Sequence, residues 1–208
     1  MQESREREDS PLHVPEIVEC LARRSELWIF GYGSLMWDPC FPYSEAQPAL
    51  LRGYHRSFCV YSRRYRGTLE RPGLVLGLDR GGACKGIAFR VPTAEVEAAL
   101  DRLWERELTQ RTYRLKELRL ETAQGAVAAR ALIVDRDHPN YAGRLPLADV
   151  ARHILQGIGA RGSCRQYLEN TVRELCKLGL VDGPLHRLAE MVRDLAAQER
   201  PCGLGKPA

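Results

Sequence analysis

No apolar run in this chain approaches the roughly 20 residues that a helix needs to cross a bilayer, so a membrane-spanning helix is not expected. Residues 1–9 are charged and hold no apolar h-region, so no secretory signal peptide is expected there. There is no C-x-x-C pair. The seven cysteines (Cys20, Cys40, Cys59, Cys84, Cys164, Cys176, Cys202) are odd in number and scattered, and the five histidines do not cluster with them. That pattern fits reduced thiols in a cytoplasm better than a disulfide framework or a zinc site. No Gly-Lys-Ser/Thr step marks a phosphate-binding loop, and no internal repeat is evident. Neither sign of charge dominates: 31 Lys and Arg against 27 Asp and Glu leave a net +4. The densest basic run, Arg63-Arg64-Tyr65-Arg66, resembles a nucleic-acid arm only weakly and reads as a solvated loop or an anion contact.

What remains is an ordinary composition, 44% hydrophobic and 28% charged over 208 residues, enough for one domain with a real core. Its most informative stretch is Trp28-Ile29-Phe30-Gly31-Tyr32-Gly33-Ser34-Leu35-Met36-Trp37. Residues 27–30 are apolar, β-branched or aromatic and predict a buried strand. The strand breaks into Gly-Tyr-Gly-Ser, where two glycines let the backbone turn and approach a ligand. Exposed N–H groups in such a turn make a concave donor site for a carboxylate or phosphate. Trp28, Phe30, Tyr32 and Trp37 are expected to line a pocket, and Gly33 to sit beside the ligand with a positive φ. A dinucleotide fingerprint is ruled out, because its sixth position is Met36 and Pro39 and Pro42 occupy the stretch where the helix would run.

In chain order, residues 1–26 predict an N-terminal arm with a short helix over 16–26, residues 27–198 one catalytic domain, and residues 199–208 a flexible tail. Residues 50–62 predict a strand. Residues 74–78 and 84–91 flank Asp79-Arg80-Gly81-Gly82, the pattern of a β-hairpin. Thr93 suits the N-cap of a following helix. Residues 113–121 and 127–134 predict a second hairpin around Gln124-Gly125. Helices are expected over 147–156, from a Ser163 cap to 178, and over 184–198. Hairpin-linked strands with helices grouped late indicate an α+β fold, a mixed and mostly antiparallel sheet or small barrel with flanking helices, and not a doubly wound one.

One carboxylate stands out. On a helix from Thr93, residues Val96, Ala99, Leu100, Leu103 and Leu108 share a face. Glu107, eleven positions after Val96, projects onto that same face, whereas Glu105 projects into solvent. The bland reading is a buried partner for an arginine or an amide. The functional reading is a general base, with a pKa raised by burial and by the negative end of the helix toward the range that takes protons from amines.

Together these two sites resemble the ChaC-like γ-glutamylcyclotransferases over residues 27–195. Phe30-Gly31-Tyr32-Gly33-Ser34-Leu35-Met36-Trp37 is similar to that family's Tyr-Gly-Ser-Leu loop, and Arg106-Glu107 to the segment with its catalytic glutamate, with Tyr113 following. Tyr61-Ser62-Arg63-Arg64, Arg66-Gly67-Thr68, Pro72-Gly73-Leu74-Val75-Leu76, Asn140-Tyr141-Ala142-Gly143, Gly159-Ala160-Arg161-Gly162-Ser163 and Tyr167-Leu168 match in order. Some relatives carry a Ser-Thr-Asp-His stretch before the Arg-Gly step; this chain has a shorter loop, so no role is carried over from that insert. The resemblance implies glutathione as substrate, 5-oxoproline and cysteinylglycine as products, and neither a metal nor an organic cofactor. From the charge distribution and the lack of a long apolar run, neither a nucleic-acid nor a membrane partner is expected, and no obligatory protein partner is evident. The resemblance marks Glu107 as catalytic and Ile29, Phe30, Gly31, Tyr32, Gly33, Ser34, Leu35 and Tyr113 as substrate-binding. Tyr113, Tyr141 and Tyr167 are candidate hydroxyl donors, and Arg63 a candidate partner for the tripeptide's glycine carboxylate. The residues leave two other readings open: a cyclotransferase for other γ-glutamyl amines, and a non-catalytic module that binds γ-glutamyl peptides.

Overall fold

The computed structural model describes residues 27–198, so the short helix expected over 16–26, Cys20, Cys202 and the two terminal segments lie outside the described residues. These residues form two compact units, residues 27–56 with 77–138 and residues 57–76 with 139–198. The fold is α+β, as the order of elements suggested.

Five strands build the main sheet: β1 (Leu27–Gly31), β2 (Glu45–Ser62), β3 (Gly73–Val91), β4 (Tyr113–Thr122) and β5 (Gly125–Val134). They close into a barrel in the order β1-β3-β2-β4-β5. β1 runs antiparallel to β3, from Leu27 opposite Val91 to Gly31 opposite Ile87. Its other edge is parallel to β5, with Ile29 opposite Arg130 and Phe30 opposite Ala131. Two partners cover β1 on both edges, and all five of its residues are buried, as the unbroken apolar run requires. The β4–β5 hairpin turns at Gly125, whose φ of +120° suits only glycine, and the Thr122 hydroxyl donates to Gly125 O.

The hairpin expected at residues 79–82 does not form. β3 is one long strand, and Gly81 (φ +98°) and Gly82 (φ +70°) bend it without reversing it. A ring nitrogen of His55 lies 3.0 Å from Gly81 O at the bend. Paired glycines permit a bulge as readily as a turn, so the dipeptide pattern could not separate the two. β2 likewise starts at Glu45, five residues before the expected strand.

The helix after β3 enters through a 3-10 turn at Thr93–Glu95, and Thr93 does not cap it. Helix α1 then spans Val96–Leu103 and buries Val96, Ala99, Leu100 and Leu103, the face the spacing predicted. No helix among the described residues is long and apolar enough to cross a membrane.

The second unit holds α2 (Leu147–Gln156), α3 (Cys164–Lys177) and α4 (Gly183–Gln198), which pack on one another. Ser163 caps α3 by accepting from the Gln166 N–H at 3.1 Å, as expected. Between α2 and α3 a two-residue hairpin pairs β6 (Ile158–Gly159) with β7 (Gly162–Ser163). Here glycines are needed for space. A Cβ on Gly67 would strike the Gly73 nitrogen, one on Gly73 the Arg66 carbonyl, and one on Gly157 both Gly73 and the Arg66 carbonyl. The scattered Arg-Gly and Gly-Ala-Arg-Gly matches thus meet as one backbone-to-backbone junction. Arg66 threads it, donating to Ser163 O and lying over the Tyr167 ring at 5.5 Å.

Candidate functional site

β1 ends at Gly31 and delivers the chain into a 3-10 turn at Ser34–Met36. A Cβ on Gly31 would lie 2.9 Å from the Phe89 ring and 3.3 Å from Leu35 Cβ, so glycine lets the turn fold back onto its own strand. The turn is closed by Met36 N–H to Gly33 O at 3.0 Å and Asp38 N–H to Ser34 O at 2.9 Å. Gly33 has φ −131° and not the positive value expected. Trp28, Phe30 and Tyr32 are buried in the core, and the Tyr32 hydroxyl donates to Leu132 O at 2.9 Å. These three aromatics are thus packed away from bulk solvent, whereas Trp37 is half-buried. Ile29, Phe30 and Leu35 are buried too, so what residues 29–35 can offer a ligand is mainly backbone, together with the half-buried Ser34.

Beneath the turn lies a residue the sequence did not single out. Arg56, 9% exposed, donates through Nε to Tyr32 O and through Nη2 to Lys85 O at 2.6 Å, with Met36 Sδ 3.9 Å from Nη2. Its guanidinium fixes the loop carbonyl from inside. An arginine in mid-strand carries no local signal of such a role.

Glu107 sits where α1 changes character. The turn Trp104–Leu108 is a π-helix, marked by Thr109 N–H to Trp104 O at 3.2 Å. Such bulges recur at functional sites because they displace one side chain from the helical rows around it. A π-turn advances less per residue than an α-turn, so Leu108 comes round to the buried face and Glu107 falls at its edge. The expectation of a carboxylate centred on the apolar face is corrected accordingly: the Glu107 side chain is 19% exposed. Glu105 is exposed, as expected.

Arg106 accompanies it. Its side chain is only 10% exposed, and its Nε stands 3.0 Å from Glu107 Oε1 but outside hydrogen-bond geometry. Its Nη1 donates to Asp38 O at 2.6 Å and lies 3.2 Å from Asp38 Oδ2. Glu107 is thereby joined through Arg106 and Asp38 to Ser34 in the loop after β1. Arg106 is the arginine partner that the bland reading of Glu107 allowed, and the contact leaves a functional role open. Cys40 shares the neighbourhood: burial pushes its thiol above the ordinary range, Arg106 opposes this, and Glu107 and Asp38 add to it. A thiol kept protonated is a poor nucleophile.

Tyr113 opens β4, half-buried and opposite Val134. The other candidates belong to the second unit. Arg63 is exposed and lies over the Tyr61 ring at 5.8 Å. Tyr141 bridges Val60, and Tyr167 packs edge-on to Phe58 at 6.0 Å. Among the described residues no group of three or more His, Cys, Asp and Glu side chains could hold a metal ion.

Comparison with known proteins identifies the family. The model of the ChaC-like protein family matches residues 27–195. The chain is 36% identical over 189 residues to an Escherichia coli protein named glutathione-specific gamma-glutamylcyclotransferase, covering 90% of this chain and 82% of that one. It is 32% identical over 183 residues to gamma-glutamylcyclotransferase 2-3 of Arabidopsis thaliana, covering 83% and 91%. The crystal structure of a yeast γ-glutamyl cyclotransferase specific to glutathione superposes with a TM-score of 0.77 at 21% identity, over 82% of this chain and 97% of that one, and shows the same fold. The chain belongs to the ChaC-like family.

Proposed function

We propose that this protein is a glutathione-specific γ-glutamylcyclotransferase: it cyclises the γ-glutamyl group of glutathione to 5-oxoproline and releases cysteinylglycine. The observation that carries the reading is Glu107, a part-buried carboxylate on a π-turn linked through Arg106 and Asp38 to the Gly-Tyr-Gly-Ser loop. It is supported by the E. coli relative of that name, aligned over nine-tenths of the chain.

The chemistry asks little of a protein. The substrate's own α-amine attacks its γ-carbonyl, so no enzyme nucleophile is required. Three things are required: the substrate held folded, its α-carboxylate anchored, and its ammonium relieved of a proton. Holding the amine against the carbonyl replaces an unfavourable conformational search and is the largest available gain. The backbone of residues 31–35 supplies the anchor. Glu107 takes the ammonium proton as general base and delivers a proton to the departing cysteinyl nitrogen. Its 19% exposure leaves an edge open to substrate. We place the reaction in the cytoplasm, a reading supported by the exposed Cys176 thiol.

Purified protein incubated with glutathione is expected to give equal amounts of 5-oxoproline and cysteinylglycine by mass spectrometry. Tight glutathione binding by calorimetry with no 5-oxoproline would overturn the enzymatic reading. Faster turnover of other γ-glutamyl amines would overturn the glutathione specificity alone.

A further inference from the structure

We infer that Arg106 is a positioning residue for the reaction, holding the Glu107 carboxylate at a fixed place relative to the loop after β1. This rests on the assignment of Glu107 as the base. Neighbouring residues on an ordinary α-helix point about 100° apart and do not meet. In the π-turn the Arg106 and Glu107 side chains approach to 3.0 Å. The other end of the guanidinium is fixed twice on Asp38, by Nη1 to its carbonyl at 2.6 Å and to Oδ2 at 3.2 Å. Asp38 N–H in turn bonds Ser34 O at 2.9 Å. One nine-tenths buried arginine therefore joins the carboxylate to the turn proposed to anchor the substrate.

The geometry at Nε is the specific feature. A buried N–H without a formed hydrogen bond is rare. Here it faces a carboxylate oxygen at 3.0 Å and lacks only alignment. A small rotation of Glu107 completes the bond, so the guanidinium defines one preferred orientation of the carboxylate. The charge also matters: Glu107 must be an anion to take the ammonium proton, and an adjacent cation favours that form. Once protonated, the same neighbour favours release of the proton to the leaving nitrogen. Arg106 lies directly beside Glu107, and Asp38 and Cys40 share the neighbourhood. Of these three, Arg106 is the cation.

The test is steady-state kinetics of Arg106→Gln and Arg106→Lys with glutathione, across pH, on protein whose folding is checked by thermal melting. Arg106→Gln is expected to lower kcat at least ~10-fold with KM changed less than ~3-fold, since orientation of the base acts on the transition state. Loss of the cation also favours protonated Glu107, so the acid limb of the kcat/KM profile moves to higher pH. Arg106→Lys keeps a charge without the planar fork. It should keep the acid limb near its original place while still losing kcat, and it preserves the test if Arg106→Gln does not fold. Wild-type kcat with an unmoved acid limb in folded Arg106→Gln, alongside an inactive Glu107→Gln, would overturn this inference and leave the reaction assignment standing. An active Glu107→Gln would remove the assignment itself.

Discussion

Arg56 places a cation inside the first unit, where the loss of hydration must be offset by formed bonds. It donates to two backbone carbonyls, Tyr32 O and Lys85 O, and so ties the loop to β3. Arg56→Met is expected to cost about 2–3 kcal/mol in urea unfolding and to raise KM for glutathione as the loop loosens. An unchanged KM would show that the loop holds its shape without the guanidinium. Cys164 makes a different prediction. Burial pushes its thiol from 9.0 up to about 12. The folded value lies above the unfolded one, so this stability is fully present below pH 9 and is lost as pH rises toward 12. The urea midpoint should fall over that interval, and fall less steeply in Cys164→Ala. At this scale the sequence singled out Glu107 as a candidate, because on an α-helical projection a carboxylate interrupts an apolar period, and the structure places it at the edge of that face. It could not reveal Arg56 or Arg106, whose partners are carbonyls and a carboxylate brought near by the fold, with no pattern in the adjacent residues.

The elements show where local pattern is sufficient and where it is not. The Ser163 cap was legible because its bond reaches only to Gln166. Ser163→Ala should therefore cost about 1 kcal/mol, read as a lower urea midpoint. The π-turn at Trp104–Leu108 was illegible, since its residues fit an α-helix equally well and one inserted position shifts every later projection. That shift moved Glu107 from the middle of the apolar face to its edge. The glycine junction of the second unit carries a sharper prediction. Gly73→Ala places a methyl against the Arg66 carbonyl carbon and oxygen, which are backbone and can yield only by moving the chain. A loss of about 1–3 kcal/mol is expected. Gly53→Ala serves as comparison: it has open space but a φ of +83°, so its cost comes from backbone strain alone, on the order of 1 kcal/mol.

For the molecule as a whole, fold class was readable because hairpin-linked strands and late helices follow one another along the chain. Barrel closure was not. It depends on parallel pairings between residues far apart in sequence, Phe30 with Ala131 and Leu78 with Ile133, which no local alternation encodes. The same holds for the candidate site, whose loop and proposed base are separated by some seventy residues and are joined through Arg106 and Asp38. The most direct measurement of the central claim is 5-oxoproline formation by Glu107→Gln, with Glu105→Gln as the matched control on an exposed position. Glu107→Gln should lower turnover by at least ~100-fold, the scale of a lost general base, and change glutathione binding far less. A modest loss of stability is expected too, because Arg106 would lose the counter-charge beside it. Glu105→Gln should behave as wild type. Near-normal turnover in folded Glu107→Gln, or an equal loss in both variants, would contradict the account.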